Sequence, residues 1–197
     1  MLKGSEQLML IVTDVDGVLN NLMDVVVAEY NKKYKANYTI NDITTYNLDE
    51  CFEPDVAKRM KKLFSAPEVW DKVKAVNGAH NALQKLINSG HQIYLATNHD
   101  PSTYGNKVAW IKRFFPFVEA SKIICIKDKW LLRADIMIED NLQTLLGRPY
   151  YRRILMDHPW NYESEYRDFA YDIYRCHNWT EILNAINKII EMEGDVN

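Results

Sequence analysis

The chain has 197 residues, a length for one domain or one domain with a sizeable insertion, and enough to bury a full core. Hydrophobic residues make up 47% and charged residues 26%, which excludes a disordered chain. A net charge of −3 argues against a general nucleic-acid binder, because nothing would displace counterions from a phosphate backbone. No apolar run approaches the roughly 18–20 residues of a membrane span, and Leu8–Val12 is too short for a signal-peptide core. Cys51, Cys125 and Cys176 are odd in number and far apart, fitting neither a disulfide framework nor a CxxC metal site. The expected setting is therefore the reducing cytoplasm.

In chain order, Leu8–Thr13 is an apolar run stopped by Asp-Val-Asp-Gly, the pattern of a buried strand ending in a polar turn. Asp24 to Tyr34 has helical spacing. Residues 35–77 contain no clear strand; Asn41-Asp42 is a candidate cap, and Pro54 opens a helix running to about Phe64. This stretch reads as a small helical insertion. From Gly78 the rhythm changes. A helix over Gly78–Asn88 is closed by Gly90 and followed by a strand, His91–Thr97. A helix over Tyr104–Phe115 stops at Pro116, and Lys122–Ile126 and Ile136–Glu139 read as strands. Leu142–Leu146 is a short helix, Arg153–Met156 a strand, Ala170–Cys176 a last strand, and Trp179–Met192 an amphipathic helix with Asn178 as its cap. This alternation predicts right-handed βαβ units, and hence an α/β fold with a parallel sheet between two helical layers.

In such a sheet, sites form at the carboxyl ends of the strands. The residues found there are Asp14 and Asp16, then Thr97 and Asn98, then Lys127, Asp128 and Lys129, then Glu139 and Asp140. Singly, each has a plain reading as a turn, cap or surface residue. Together they make chemical sense as a phosphoryl-transfer site. Asp14 and Asp16 are two apart, so in extended chain their side chains point the same way. Asp14 can attack phosphorus, and Asp16 can protonate the leaving oxygen and then activate water. The clustered carboxylates repel each other and a phosphate dianion; Mg²⁺ resolves this, with Asp140 the best second carboxylate ligand. Thr97 and a lysine would hold phosphate oxygens, and spacing does not separate Lys127 from Lys129. Gly17 lets the backbone turn close to the phosphate. Asp135 precedes its strand and, at roughly 3.3 Å per residue, would lie about 16 Å from Asp140, so it is excluded as a ligand. The five histidines show no metal-ligand spacing, and His99 reads as loop surface near the substrate.

Asp14-Val-Asp-Gly-Val-Leu19, Leu95-Ala-Thr-Asn98, Lys129 and Ile138-Glu-Asp140, in this order, resemble the four motifs of haloacid-dehalogenase-type phosphatases. The stretch Lys107–Phe115, the stretch from Asp128-Lys129 to Asp140, and Leu155-Met-Asp-His-Pro-Trp-Asn161 resemble the 5′(3′)-deoxyribonucleotidase family, as does the helical insertion after the first motif. The match spans about residues 8 to 190. The resemblance implies a Rossmann-like three-layer sandwich: a core of residues 1–19 and 78–197, and a small helical cap, residues 20–77, inserted after the first strand. It implies Asp14 as nucleophile and Mg²⁺ ligand, Asp16 as general acid/base and ligand through its carbonyl, and Asp140 as the remaining ligand. Thr97 and Asn98 would bind phosphate, and Lys129, rather than Lys127, matches the third motif. Glu139 departs from the family's usual Asp, and Asn98 from its frequent Ser. Leu22, Val69 and Trp70 match pocket positions, and Trp70 is the candidate to contact a nucleobase. Asp157–Asn161 carries no catalytic role and reads as a turn rigidified by Pro159 and anchored by Trp160.

The expected activity is Mg²⁺-dependent hydrolysis of nucleoside or deoxynucleoside monophosphates through an aspartyl phosphate. Partners are then a small phosphomonoester, with no nucleic-acid polymer and no membrane; a homodimer stays open. One alternative is a phosphatase of the same superfamily acting on a phosphosugar or another small phosphomonoester. The other is a non-catalytic phosphate-binding or signalling domain, since receiver domains also gather Asp, Thr and Lys at strand ends.

Overall fold

The computed structural model describes residues 8–98, 101–147, 151–162 and 172–194. His99, and Ala170 and Tyr171 of the expected last strand, lie outside the described residues. The strands are β1 (Leu10–Thr13), β2 (Gln92–Thr97), β3 (Ile123–Cys125), β4 (Ile136–Glu139), β5 (Arg152–Met156) and β6 (Ile173–Cys176). The helices are α1 (Leu22–Tyr34), α2 (Leu48–Cys51), α3 (Pro54–Leu63), α4 (Pro67–Trp70), α5 (Ala79–Asn88), α6 (Pro101–Phe114), α7 (Leu142–Leu146) and α8 (Trp179–Gly194). No strand of the sheet interrupts α1 to α4, in agreement with the helical reading of that stretch. Several boundaries move. Leu8, expected in the first strand, is exposed, and β1 begins at Leu10. The third strand is shorter than expected because Ala120–Lys122 turns as a 3-10 helix.

All strand pairs are parallel, in the order β3-β2-β1-β4-β5-β6. The chain builds outward from β1 to β3, then returns to the other side of β1 and builds outward to β6. The reversal lies at β1, between β2 and β4, and in open α/β sheets the crevice at this point receives the ligand.

Period-two alternation sorts the strand residues onto two faces. Ile11, Leu95, Ile138 and Ile154 join the larger core cluster, with Leu83 of α5, Trp110 of α6 and Trp179 of α8. That cluster continues without a break into the insertion, taking in Ile43, Met60 and Val69. Val12, Ala96, Met137 and Leu155 face the other way, onto Leu142 and Leu145 of α7. The sheet is thus sandwiched, as expected. Helix α8 begins as the sequence indicates: Asn178 Oδ1 accepts from the Glu181 amide at 3.0 Å. No helix among the described residues is long and apolar enough to cross a membrane.

Candidate active site

The loop after β1 is held by its own side chains. The Asp14 amide donates to the Ile138 carbonyl on β4 at 2.8 Å, and the Leu19 and Asn20 amides return to the Val15 carbonyl. The Asn20 amide group donates to Asp16 Oδ1 at 2.9 Å, while its oxygen accepts from the Leu22 amide at 3.1 Å. Gly17 is at φ +75°, and a Cβ there would collide with Asp140 Oδ2. Glycine is required twice over: for the left-handed backbone, and to let two strand ends approach.

The strand ends converge. Asp14, Thr97, Lys129, Glu139 and Asp140 are all buried, whereas Asp16 is half-buried. Lys129 sits in a 3-10 turn after β3, its ammonium 2.7 Å from Asp14 Oδ1 and also paired with Glu139 Oε1. Lys127 is exposed. Glu139 spends its other oxygen on the Asp140 and Asn141 amides, at 3.2 and 3.3 Å. Oxygens of Asp14, Glu139 and Asp140 lie within 4.8 Å of one another. The two oxygens of Asp140 differ: Oδ2 accepts from the Trp160 indole at 3.2 Å, whereas Oδ1 is buried with no hydrogen-bond partner.

Lys107 is a site residue that reasoning from strand ends alone does not reach. It is 3% exposed, and its ammonium reaches Asp16 Oδ2 at 2.6 Å, Thr97 Oγ1 at 2.8 Å and the Asn98 carbonyl at 3.1 Å. The available signal is helical spacing. Lys107 shares the buried face of α6 with Trp110 and Ile111, at i+3 and i+4, where a lysine needs a buried partner.

Four carboxylates, Asp14, Asp16, Glu139 and Asp140, thus meet two ammoniums, Lys107 and Lys129. Burial holds the Asp140 carboxyl well above the usual carboxylate range, and the charges of Asp14 and Glu139 push it further. Burial likewise raises Asp14, against the pull of Lys129, and pushes Glu139 up to about 7. Burial works to lower Lys129, but the charges of Asp14 and Glu139 outweigh it and raise it. A surplus of desolvated negative charge, with one carboxylate oxygen left unpaired, is a donor set that suits a hard divalent cation.

Beside the carboxylates lies a pocket of about 280 Å³. Asp16, Asn98 and Asp140 line one side; Leu22, Met23, Ile43, Tyr46 and Phe64 supply an apolar wall, with Thr45 and Asn47 among the polar groups. Leu22 lines it as expected. Trp70 and Val69 do not: both are buried, and the Trp70 indole donates to the Phe64 carbonyl at 2.8 Å. Trp70 is packed in its four-residue helix with its ring 6.0 Å from the Lys107 ammonium, and Tyr46, Phe64 and Trp160 supply the aromatic surfaces of this pocket.

The family model described as "5' nucleotidase, deoxy (Pyrimidine), cytosolic type C protein" matches residues 8–191. The chain belongs to this family. A 5'(3')-deoxyribonucleotidase from Clostridium acetobutylicum is 30% identical over 128 residues, 65% of this chain and 71% of that protein. Among solved structures, a haloacid dehalogenase-like hydrolase from Streptococcus pneumoniae superimposes with a TM-score of 0.63 at 13% identity, covering 91% of this chain and 98% of that one. A hydrolase of the same type from Deinococcus radiodurans, solved with bound phosphate and sodium, gives 0.58 at 15% identity, covering 93% and 97%. The fold is therefore that of the haloacid-dehalogenase-like hydrolases, and the chain is a phosphoric monoester hydrolase of that type.

Proposed function

We propose that this member of the nucleotidase family hydrolyses nucleoside and deoxynucleoside monophosphates with Mg²⁺, through a phosphoryl group carried on Asp14. The observation that carries the reading is the convergence of strand ends: Asp14 against Lys129, Asp16 joined to Thr97 through Lys107, and Asp140 with one unpaired oxygen, all beside an apolar pocket. An Asp14 carboxylate oxygen attacks phosphorus while the bond to the leaving oxygen breaks and Asp16 delivers a proton to that oxygen. In the second half, Asp16 takes a proton from water, the water oxygen bonds to phosphorus, and the bond to Asp14 breaks, releasing inorganic phosphate. Thr97, Asn98 and Lys129 bind the phosphoryl oxygens, and Lys129 also offsets charge on Asp14. Asp14, Asp140 and the Asp16 carbonyl would hold Mg²⁺. Once bound, the ion offsets the negative charge of the phosphoryl group.

Residues 20–77 act as a small cap over a core of 1–19 and 78–197. The pocket supports this division, since Tyr46 and Phe64 come from the insertion and Asp140 from the sheet. Its aromatic and apolar wall suits a nucleoside better than a bare sugar. The cytoplasm, where nucleoside monophosphates are made and consumed, is the proposed compartment. The test is a panel of nucleoside monophosphates, sugar phosphates and a chromogenic aryl phosphate, each with Mg²⁺ and with EDTA. Nucleotides should be turned over fastest, and EDTA should abolish turnover. If dUMP, dTMP and their ribo counterparts are all hydrolysed no faster than the chromogenic ester, the nucleotidase reading fails.

A further inference from the structure

The segment after β5, Asp157-His158-Pro159-Trp160-Asn161, reads in the sequence as a turn, yet it makes more contacts to Asp140 than that role needs. Trp160 Nε1 donates to Asp140 Oδ2 at 3.2 Å. The Asn161 side-chain amide donates to the Asp140 carbonyl at 2.9 Å and to the Met156 carbonyl at 2.8 Å, joining the ends of β4 and β5. Arg175 of β6 fixes Asn161 in turn, reaching its Oδ1 at 2.7 Å and its carbonyl at 3.0 Å, and reaching Asp157 Oδ1 at 2.6 Å. The Trp160 ring is itself clamped. His158 stacks on it at 4.1 Å and 9° between planes, and His158 Nε2 bonds the Gly17 carbonyl at 2.7 Å. Trp160 and Asn161 are both buried.

We propose that Trp160 and Asn161 are positioning residues for the metal site: by occupying Oδ2 and anchoring the Asp140 backbone, they leave Oδ1 alone free to meet a cation, and so favour Mg²⁺ over Ca²⁺. The physical basis is that a carboxylate with one oxygen committed to an indole N–H offers a single donor. Mg²⁺ binds compactly and takes single oxygens, whereas Ca²⁺ readily takes both oxygens of a carboxylate in a looser shell. Outer hydrogen bonds that fix a ligating carboxylate typically govern 10- to 100-fold in metal affinity. Arg175 extends the same support to a third strand, so the orientation of Asp140 is set by the ends of β4, β5 and β6 together.

This inference rests on the Mg²⁺ site proposed above, and the experiment separates the two. The full chain, free of substrate, is titrated calorimetrically with Mg²⁺ and with Ca²⁺ as wild type, Trp160→Phe and Arg175→Lys. Phe keeps an aromatic ring against His158 and removes the donor together with part of the ring volume; Lys cannot reproduce the fork on Asn161. For Trp160→Phe the Kd for Mg²⁺ should rise roughly 10- to 100-fold while the Kd for Ca²⁺ rises less, narrowing the preference. Arg175→Lys should move both values in the same directions by a smaller factor. Metal-free Trp160→Phe should melt a few degrees below wild type, about 2–4 °C per kcal/mol lost, and its gain on adding Mg²⁺ should shrink as well, which a purely structural role would not produce. Wild-type Mg²⁺ affinity and an unchanged Mg²⁺ to Ca²⁺ ratio in both variants overturn the proposal. If Trp160→Phe does not fold, Arg175→Lys decides by the same criteria. If the wild type itself takes up no Mg²⁺, the metal site falls and this inference falls with it.

Discussion

Strand β4 carries an aspartate just before it and another just after it, and the two live in different worlds. Asp135, at the amino end, is exposed; its carboxylate accepts from the Leu10 amide at 2.6 Å, and its backbone bonds to Leu10 and Arg152 on the two neighbouring strands. Asp140, at the carboxyl end, is buried among three other carboxylates and keeps an oxygen with no partner. The residue type is the same and the strand is the same. The difference is that the amino end satisfies its charge locally, while the carboxyl end concentrates charge that the fold itself does not neutralise. Burial without compensation is costly, so the carboxyl end is where the molecule has given up stability for a ligand.

The sharpest way to break the contrast is Asp14→Asn. The substitution is nearly isosteric and relieves repulsion with Asp16 and Asp140, so the protein should fold with an unchanged circular dichroism spectrum. Turnover should drop by on the order of 10⁴-fold or more, because the attacking oxygen is lost. Residual activity near wild type would remove Asp14 from the chemistry. Next in size is Lys107→Met, which keeps the length of the side chain and removes a buried charge. Asp16 then loses its ammonium and Thr97 its donor, so kcat should fall on the order of 100-fold, with the loss read from steady-state kinetics. An unchanged kcat would make Lys107 a packing residue.

A third test compares two aromatics of the insertion. Tyr46 lines the pocket, so Tyr46→Ala should raise the KM for nucleotides several-fold, in keeping with about 0.5–1.5 kcal/mol for an aromatic contact, and leave thermal stability nearly unchanged. Trp70→Phe should do the reverse: KM within about 2-fold of wild type, with about 1 kcal/mol of stability lost with the indole bond to Phe64. A KM effect confined to Trp70→Phe would return the base contact to that residue.

These pairs also mark what a sequence can carry. Strand ends are legible because apolar alternation stops at a polar residue, and parallel pairing then brings every such residue to one edge; Asp14, Thr97 and Asp140 follow from that rule, whereas Lys129 lies in a 3-10 turn beyond β3 and only the family resemblance sets it apart from Lys127. Side chains that enter the site from outside the sheet obey no such rule. Lys107 comes in from the buried face of α6, where helical spacing marks it as buried but not what it meets, and Trp160 comes from a turn; their partners are visible only once the packing of those segments onto the strands is known. The insertion is harder still. Two of its helices, α2 and α4, have only 4 residues each, and spacing does not say which of Tyr46, Phe64 and Trp70 fills the core and which faces the pocket, because all three are apolar enough for either place.

The smallest expected effect comes from the amino end of β4. Asp135→Asn keeps an oxygen that can accept from the Leu10 amide, and exchanges a charged acceptor for a neutral one at an exposed position. The loss should stay below about 1 kcal/mol, read as a small shift in a urea midpoint. Turnover and the Mg²⁺ dependence of the rate should not move at all, since the side chain lies a strand's length from the carboxylates. A change in Mg²⁺ dependence would mean that charge at the amino end reaches Asp140 through the sheet, and the separation between the two ends of the molecule would then have to be abandoned.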